Sequence, residues 1–110
     1  MEKYLFTDRE LRDGTSTDHA SYFQYIENSA LSSGIYILKA GESDPQKPHS
    51  EDELYYVMEG RSRFEVNDLN YAVGPGDVIY VPAFDPHRFY DIEEDLKLLV
   101  FFSKFPVNKG

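Results

Sequence analysis

The stretch GESDPQKPHSEDELYYVMEG, residues 41–60, decides the fold because it changes from turn-forming residues to a strand pattern at Glu53. Its first half is rich in Gly, Ser, Asp and Pro, which favour turns. Residues 54–58 are aromatic, β-branched or long apolar side chains, as expected of a strand. A second stretch, GDVIYVPAFDPH at residues 76–87, repeats this order of a turn, a short apolar run and another turn.

Outward from these two stretches, short apolar runs alternate with turn signals along the chain. The predicted strands after Gly34 are 35–38, 54–58, 64–66, 78–81, 87–90 and 96–102. No run after Gly34 is long enough, and free enough of Gly and Pro, to predict an ordinary helix. Many short strands predict an all-β sandwich or barrel, in which closure of the sheet removes exposed edges.

Two spaced motifs resemble those of the cupin superfamily, in its small single-domain form. In the first motif the matching residues are His49, Glu53 and Gly60. In the second they are Gly76, Pro82 and His87. The resemblance covers roughly residues 34 to 102. It implies a double-stranded β-helix, a jelly-roll barrel of antiparallel strands whose ligand site lies inside one open end.

The resemblance also implies that His49, Glu53 and His87 hold one divalent metal ion. Imidazole and carboxylate ligands suit Fe, Mn, Ni or Zn, and three such ligands leave coordination positions free. Residues 50–52 form a tight turn between the first two ligands, and Pro86 stiffens the approach to the third. The alternative is a polar, hydrogen-bonded cluster of the same three residues in a barrel that holds no metal.

The chain departs from the family pattern at three positions. Lys47 occupies the slot of the first histidine, and a protonated ammonium cannot ligate a metal. Either three protein ligands and water form the shell, or Gln46 or Glu51 completes it. Phe84 stands where the family usually has glycine, and Asp91 where it often has asparagine.

Strand alternation predicts which other side chains line the site. Tyr55 and Val57 share a face with Glu53, so they are expected to point into the barrel. Further candidates for the pocket are Tyr36, Phe64, Tyr80, Phe89 and Phe101. Those that could belong to the site itself are Gln46, Lys47, Tyr55 and Phe89. His19 has no motif around it and is interpreted as structural.

The chain of 110 residues predicts one domain, with an N-terminal arm at 1–33 and a barrel at 34–110. Within the arm, residues 22–26 fit either a short strand or one helical turn. Aromatic strands and the apolar run 96–102 exceed what one small barrel covers, which predicts a homodimer.

The net charge of −9 disfavours nucleic acid and anionic membranes as partners. No cysteine is present, which excludes disulfides and thiolate ligands, and no apolar leader or membrane span appears, so a cytoplasmic protein is expected. Two functions remain open. One is a metal-dependent cupin with a small-molecule substrate, acting as an oxygenase, isomerase or decarboxylase. The other is a metal-free module that binds or senses a small ligand without turnover.

Overall fold

The computed structural model describes residues 3–13, 21–44 and 48–104. Its elements are α1 (Asp8–Asp13), β1 (Ser21–Glu27), β2 (Leu31–Leu38), β3 (Glu53–Val66), β4 (Leu69–Val73), β5 (Val78–Val81) and β6 (His87–Ser103). The strands pair antiparallel in the order β1-β2-β6-β3-β4, and β5 pairs with the first half of β3. This architecture confirms the predicted all-β fold.

The long ribbon of β3 and β6 gives the barrel its shape. Its ladder runs from the pair Glu53 and Phe102 at one end to the pair Val66 and His87 at the other. A straight strand over these thirteen steps would span about 43 Å. Glu53 and His87 nevertheless lie in contact, so the ribbon folds back and brings its two ends together.

Gly60 stands at the bend of this ribbon. The register of β3 against β6 shifts three times between Val57 and Arg63, which marks bulges. Gly60 has a φ of +97°, and a Cβ on it would lie 2.3 Å from the Asp95 carbonyl oxygen. On the facing strand Asp91 also has a left-handed backbone, with a φ of 48°. Both residues therefore absorb the curvature.

Several predicted strand limits are wrong. The runs 54–58 and 64–66 belong to one strand, β3, because Gly60, a residue type that favours turns, marks a bulge inside it. The runs 87–90 and 96–102 likewise belong to one strand, β6. The strand β4 was not predicted. The predicted strand 78–81 is confirmed, and the predicted strand 35–38 is the second half of β2, which begins at Leu31.

The inner face of the sheet carries the core. Tyr55 and Val57 are fully buried there, as predicted, and so are Phe64 and Phe89, while Tyr36 is 8% exposed. The prediction is wrong for Tyr80 and Phe101. Both pair with Leu54, whose side chain points away from the inner face that its neighbour Glu53 occupies. Tyr80 is 58% exposed on this outer side.

The N-terminal region contributes a helix and a strand. The ambiguous residues 22–26 lie in β1, which pairs with β2. Helix α1 begins after Thr7, whose hydroxyl accepts a hydrogen bond from the Glu10 amide at 3.2 Å. The helix contacts the barrel through Arg12, which pairs with Glu59 at 3.0 Å. Among the described residues, no helix is long and apolar enough to span a membrane.

Candidate functional site

The centre of the site is a contact between Glu53 and His87. Each is the first residue of its strand, β3 and β6 respectively, and the folded ribbon brings these two strand ends together. Both side chains are 1% exposed, and His87 Nε2 lies 2.8 Å from Glu53 Oε1. The sequence-predicted pair is thus brought together in the interior of the barrel.

Hydrogen bonding fixes the chemistry of the His87 ring. Its Nδ1 lies 2.9 Å from the Asp85 carbonyl oxygen, which can only accept, so Nδ1 donates and the neutral ring carries its lone pair on Nε2. The approach of Nε2 to Glu53 is short but poorly directed. Nε2 and both Glu53 oxygens have no hydrogen-bond partner within the described residues.

Such buried atoms are uncommon in folded proteins, because each unpaired group loses its hydration without replacement. Two ligand atoms at about 2.1 Å from one ion, at right angles, lie about 3 Å apart. The 2.8 Å separation of His87 Nε2 and Glu53 Oε1 is close to that value. These two side chains therefore fit a divalent cation.

The protonation of His87 responds to the same surroundings. Burial lowers the pKa of His87, but the Glu53 carboxylate and the Asp85 carbonyl outweigh burial and hold the pKa above its ordinary value. A proton and a cation would compete for the same nitrogen.

His49 lies beside the pair on a loop that the second motif holds. The Phe84 amide donates to the His49 carbonyl oxygen at 2.7 Å, and the Ala83 amide donates to Asp52 Oδ1 at 2.8 Å. The half-buried His49 ring stands 6.2 Å from the His87 ring, centroid to centroid. Phe84 has a φ of 69°, which explains why glycine suits this family position.

The three predicted ligands do not all converge. Within the described ranges, no three His, Asp or Glu side chains lie together in a geometry that could hold one ion. Glu51 is half-buried on the loop and is not part of such a set. Gln46, Lys47 and His19 lie outside the described residues.

An aromatic cluster closes the inner side of the site. The ring centroids of Tyr55 and Phe64 lie 6.3 and 6.2 Å from that of His87. Phe89 packs on both, at 5.2 Å from Tyr55 and 4.7 Å from Phe64. Tyr55 thus contacts the predicted ligand, whereas Phe89 stands one layer further in. The cluster keeps bulk water from the buried pair.

Sequence reasoning missed Asp44. Its carboxylate accepts hydrogen bonds from the Tyr36 hydroxyl at 3.0 Å and from the Phe89 amide at 2.9 Å. Its negative charge also contributes to the raised pKa of His87. An aspartate before a proline reads as a turn former, so the sequence pattern gave no sign of this role.

Comparison with known proteins identifies a family to which the chain is similar. The cupin domain model matches residues 34–102. A protein from Streptomyces coelicolor, itself uncharacterised, is 42% identical over 94 residues, which cover 86% of this chain and 90% of that protein. Acireductone dioxygenase from Leishmania infantum is 39% identical over 72 residues, which cover 56% of this chain and 21% of the enzyme.

A solved structure agrees with this assignment. A cupin family protein with a double-stranded β-helix fold from Methanocaldococcus jannaschii aligns with a TM-score of 0.72 at 14% identity. The alignment covers 94% of this chain and 90% of that one. The folded ribbon of β3 and β6, the two motifs and the match of the family model agree. This chain belongs to the cupin domain family.

Proposed function

We propose that this protein binds one divalent transition metal through His49, Glu53 and His87 and acts on a small organic molecule. The observation that carries the proposal is the buried pair of His87 Nε2 and Glu53 Oε1, 2.8 Å apart and without hydrogen-bond partners in the described part of the chain. The proposal requires His49 to approach this pair when the ion binds. The metal is Fe, Mn, Ni or Zn.

The chain's own residues prepare the site for a cation. Glu53 supplies a negative charge in a buried environment, where its attraction for a cation is much stronger than in water. Asp85 holds the His87 ring so that its lone pair faces Glu53. The aromatic cluster of Tyr55, Phe64 and Phe89 excludes water. A bound ion would supply a Lewis acid with free positions for a substrate's oxygen atoms.

The relatives support a small-molecule substrate without fixing the reaction. One curated relative is an acireductone dioxygenase, although the match covers only 21% of that enzyme. Oxygenase, isomerase and decarboxylase chemistry all use a metal with open positions. The reaction class therefore stays open within the proposal.

Metal analysis of protein purified without added metal tests the proposal. We expect close to one divalent ion per chain, by elemental analysis, or one equivalent of cobalt on titration of the chelated protein. His19→Ala is the matched control, since this third histidine lies in neither motif, and it should leave the stoichiometry unchanged. Failure of the wild type to bind Fe, Mn, Ni, Zn or Co would contradict the proposal.

A second candidate is a metal-free module that binds a small ligand without turnover. Its support is that no three-ligand set converges within the described residues and that Glu53 and His87 contact each other directly. The metal analysis separates the two candidates, because only this one permits a folded protein with no metal affinity.

Metal affinity should fall on mild acidification. An unperturbed histidine has a pKa of about 6.5, and the His87 pKa lies above its ordinary value. The protonated form of His87 therefore persists above that pH, and the proton competes with the ion until the pH passes the raised value. Cobalt titrations at a series of pH values should show an apparent Kd that is still improving as the pH rises above 6.5. An affinity unchanged down to pH 5 would contradict His87 as a ligand.

We also propose that two chains pair through the outer face of β3 and β5. Four large apolar side chains on this face are exposed by 42 to 64%, namely Leu54, Tyr56, Val78 and Tyr80. Leu54 pairs directly with Tyr80, and Tyr56 with Val78, so the four side chains form one continuous apolar patch. Burial of this patch against a second copy would remove it from water.

Light scattering tests this pairing. We expect twice the 12.7 kDa mass of one chain for the wild type at micromolar concentration. Tyr80→Asp should shift the protein to the monomer, because a charge within the patch would be buried without a partner. Leu69→Asp is the control, since Leu69 is equally exposed on β4 but lies outside the patch. A monomeric wild type would exclude the dimer.

A further inference from the structure

Tyr22 lies on the inner face of β1, which also carries the core residue Tyr36 on the neighbouring strand. It pairs in register with Tyr36 of β2, and its ring leans along the diagonal over Gly34. A Cβ on Gly34 would lie 2.5 Å from the Tyr22 ring carbon Cζ. Because only glycine leaves this space, the sequence at Gly34 fixes where the Tyr22 ring lies.

From this position the ring begins a line of aromatic contacts that leads to the buried pair. The Tyr22 and Phe102 centroids lie 6.4 Å apart at an interplanar angle of 73°. Phe102 in turn lies 5.2 Å from the His49 ring at 69°. We call Tyr22, Phe102 and His49 the aromatic wall. It leads from solvent to the buried His87, since Tyr22 is 42% exposed and Phe102 and His49 are half-buried.

The hydroxyl of Tyr22 is available to a ligand. It has no hydrogen-bond partner among residues 3–13, 21–44 and 48–104. Burial raises the pKa of Tyr22, and the charges of Tyr25, Glu53 and Glu27 raise it further. The hydroxyl therefore stays protonated at neutral pH and can donate a hydrogen bond. Phe102, which the Tyr22 ring contacts, pairs in register with Glu53, so Tyr22 stands close to the proposed metal site.

The chemistry of the wall indicates what it would recognise. Its side chains are flat rings without a fixed charge, and such surfaces pack best against flat, polarisable groups. Glu53 at the base of the site disfavours an additional anionic group that does not itself reach the ion. A ligand that fits has metal-binding oxygens at one end and a flat unsaturated or aromatic body that lies along the wall.

We propose that Tyr22, positioned by Gly34, is a specificity-determining residue that selects small molecules in which a flat unsaturated group adjoins a pair of metal-binding oxygens. This inference rests on the proposed function, because the oxygens of such a molecule need an ion at the Glu53 and His87 pair. Phe102 supplies the rest of the contact surface, and the Tyr22 hydroxyl donates to a polar atom of the ligand.

Binding of two probes to cobalt-loaded protein tests the inference. One probe is 4-nitrocatechol, a flat ring with two adjacent oxygens, and the other is glycolate, which offers two oxygens and no ring. Tyr22→Leu removes the ring, Tyr22→Phe removes only the hydroxyl, and Gly34→Ala displaces the ring without changing its chemistry. Phe23→Leu is the matched control, because Phe23 is the next residue on β1 and faces the other side, with a similar exposure of 44%.

We expect Tyr22→Leu and Gly34→Ala to weaken nitrocatechol binding by about tenfold or more, through the lost aromatic contact. Tyr22→Phe should weaken it by about fivefold, as expected for one neutral hydrogen bond. Glycolate affinity and cobalt affinity should be unchanged in all variants, which also shows that each variant folds, and Phe23→Leu should match the wild type.

The outcomes separate this inference from the proposed function. A wild type that binds no cobalt would overturn both. Normal cobalt binding with unchanged nitrocatechol affinity in Tyr22→Leu would overturn the inference alone. Equal losses for nitrocatechol and glycolate would also overturn it, since they would show a general effect on the site rather than selection by the wall.

Discussion

Replacement of Gly60 by alanine is expected to destabilise the barrel by roughly 3–5 kcal/mol, from backbone strain at a positive φ together with overpacking. Two effects act at this position. The φ of +97° is unfavourable for any residue with a Cβ, and that Cβ would lie 2.3 Å from the Asp95 carbonyl oxygen. Backbone atoms cannot rotate away as a side chain can, so β3 and β6 must separate at the bend. Urea unfolding of the variant and the wild type measures the difference.

Gly76→Ala is the matched control for the Gly60 variant. Gly76 has a φ of +92°, but a Cβ there meets no atom within 4 Å. This variant therefore carries only the conformational cost, about 1 kcal/mol. Equal losses of stability in the two variants would show that the close approach at the bend is unimportant. If Gly60→Ala does not fold at all while Gly76→Ala does, the prediction holds in its stronger form.

Glu53→Gln should abolish stabilisation by metal while the fold is retained. The amide has nearly the volume of the carboxylate, yet it lacks the charge that attracts a cation into the buried site. At a cobalt concentration about one hundred times its Kd, the wild type should gain about 2.7 kcal/mol in the free energy of unfolding. The variant should gain almost nothing under the same conditions. Chemical denaturation with cobalt and with chelator measures both values.

When the metal is removed, Glu53→Gln should no longer be less stable than the wild type. In chelator, the wild type keeps a buried carboxylate whose oxygens have no hydrogen-bond partner in the described residues, whereas a glutamine side chain at 53 can donate to His87 Nε2. At a pH where His87 is neutral, the metal-free variant should therefore be at least as stable as the metal-free wild type. A variant that gains as much from cobalt as the wild type would reject Glu53 as a ligand.

The sequence by itself determined which side chains of β3 face the core, and its two motifs indicated where the site lies. Alternation along β3 placed Tyr55 and Val57 beside Glu53 inside the barrel, because side chains of a strand point to opposite sides in turn. The resemblance of the two motifs to those of the cupin family also implied that Glu53 and His87 belong to one site. Side-chain alternation and motif spacing depend only on the order of residues within a short segment, so they can be read from the sequence.

Only the tertiary structure decided how those segments meet. In a straight strand Glu53 and Val66, the two ends of β3, would lie about 43 Å apart. The bend at Gly60 folds the ribbon of β3 and β6 so that its two ends come into contact. The local sequence around Gly60 indicates only a turn. The sequence pattern predicted Tyr80 as a pocket residue, but its pairing with Leu54 places it on the outer face of the sheet. Asp44 and Tyr22 reach the site from segments that read as a turn and as an ambiguous arm. Their roles arise from contacts across the barrel, and local residue patterns do not encode such contacts.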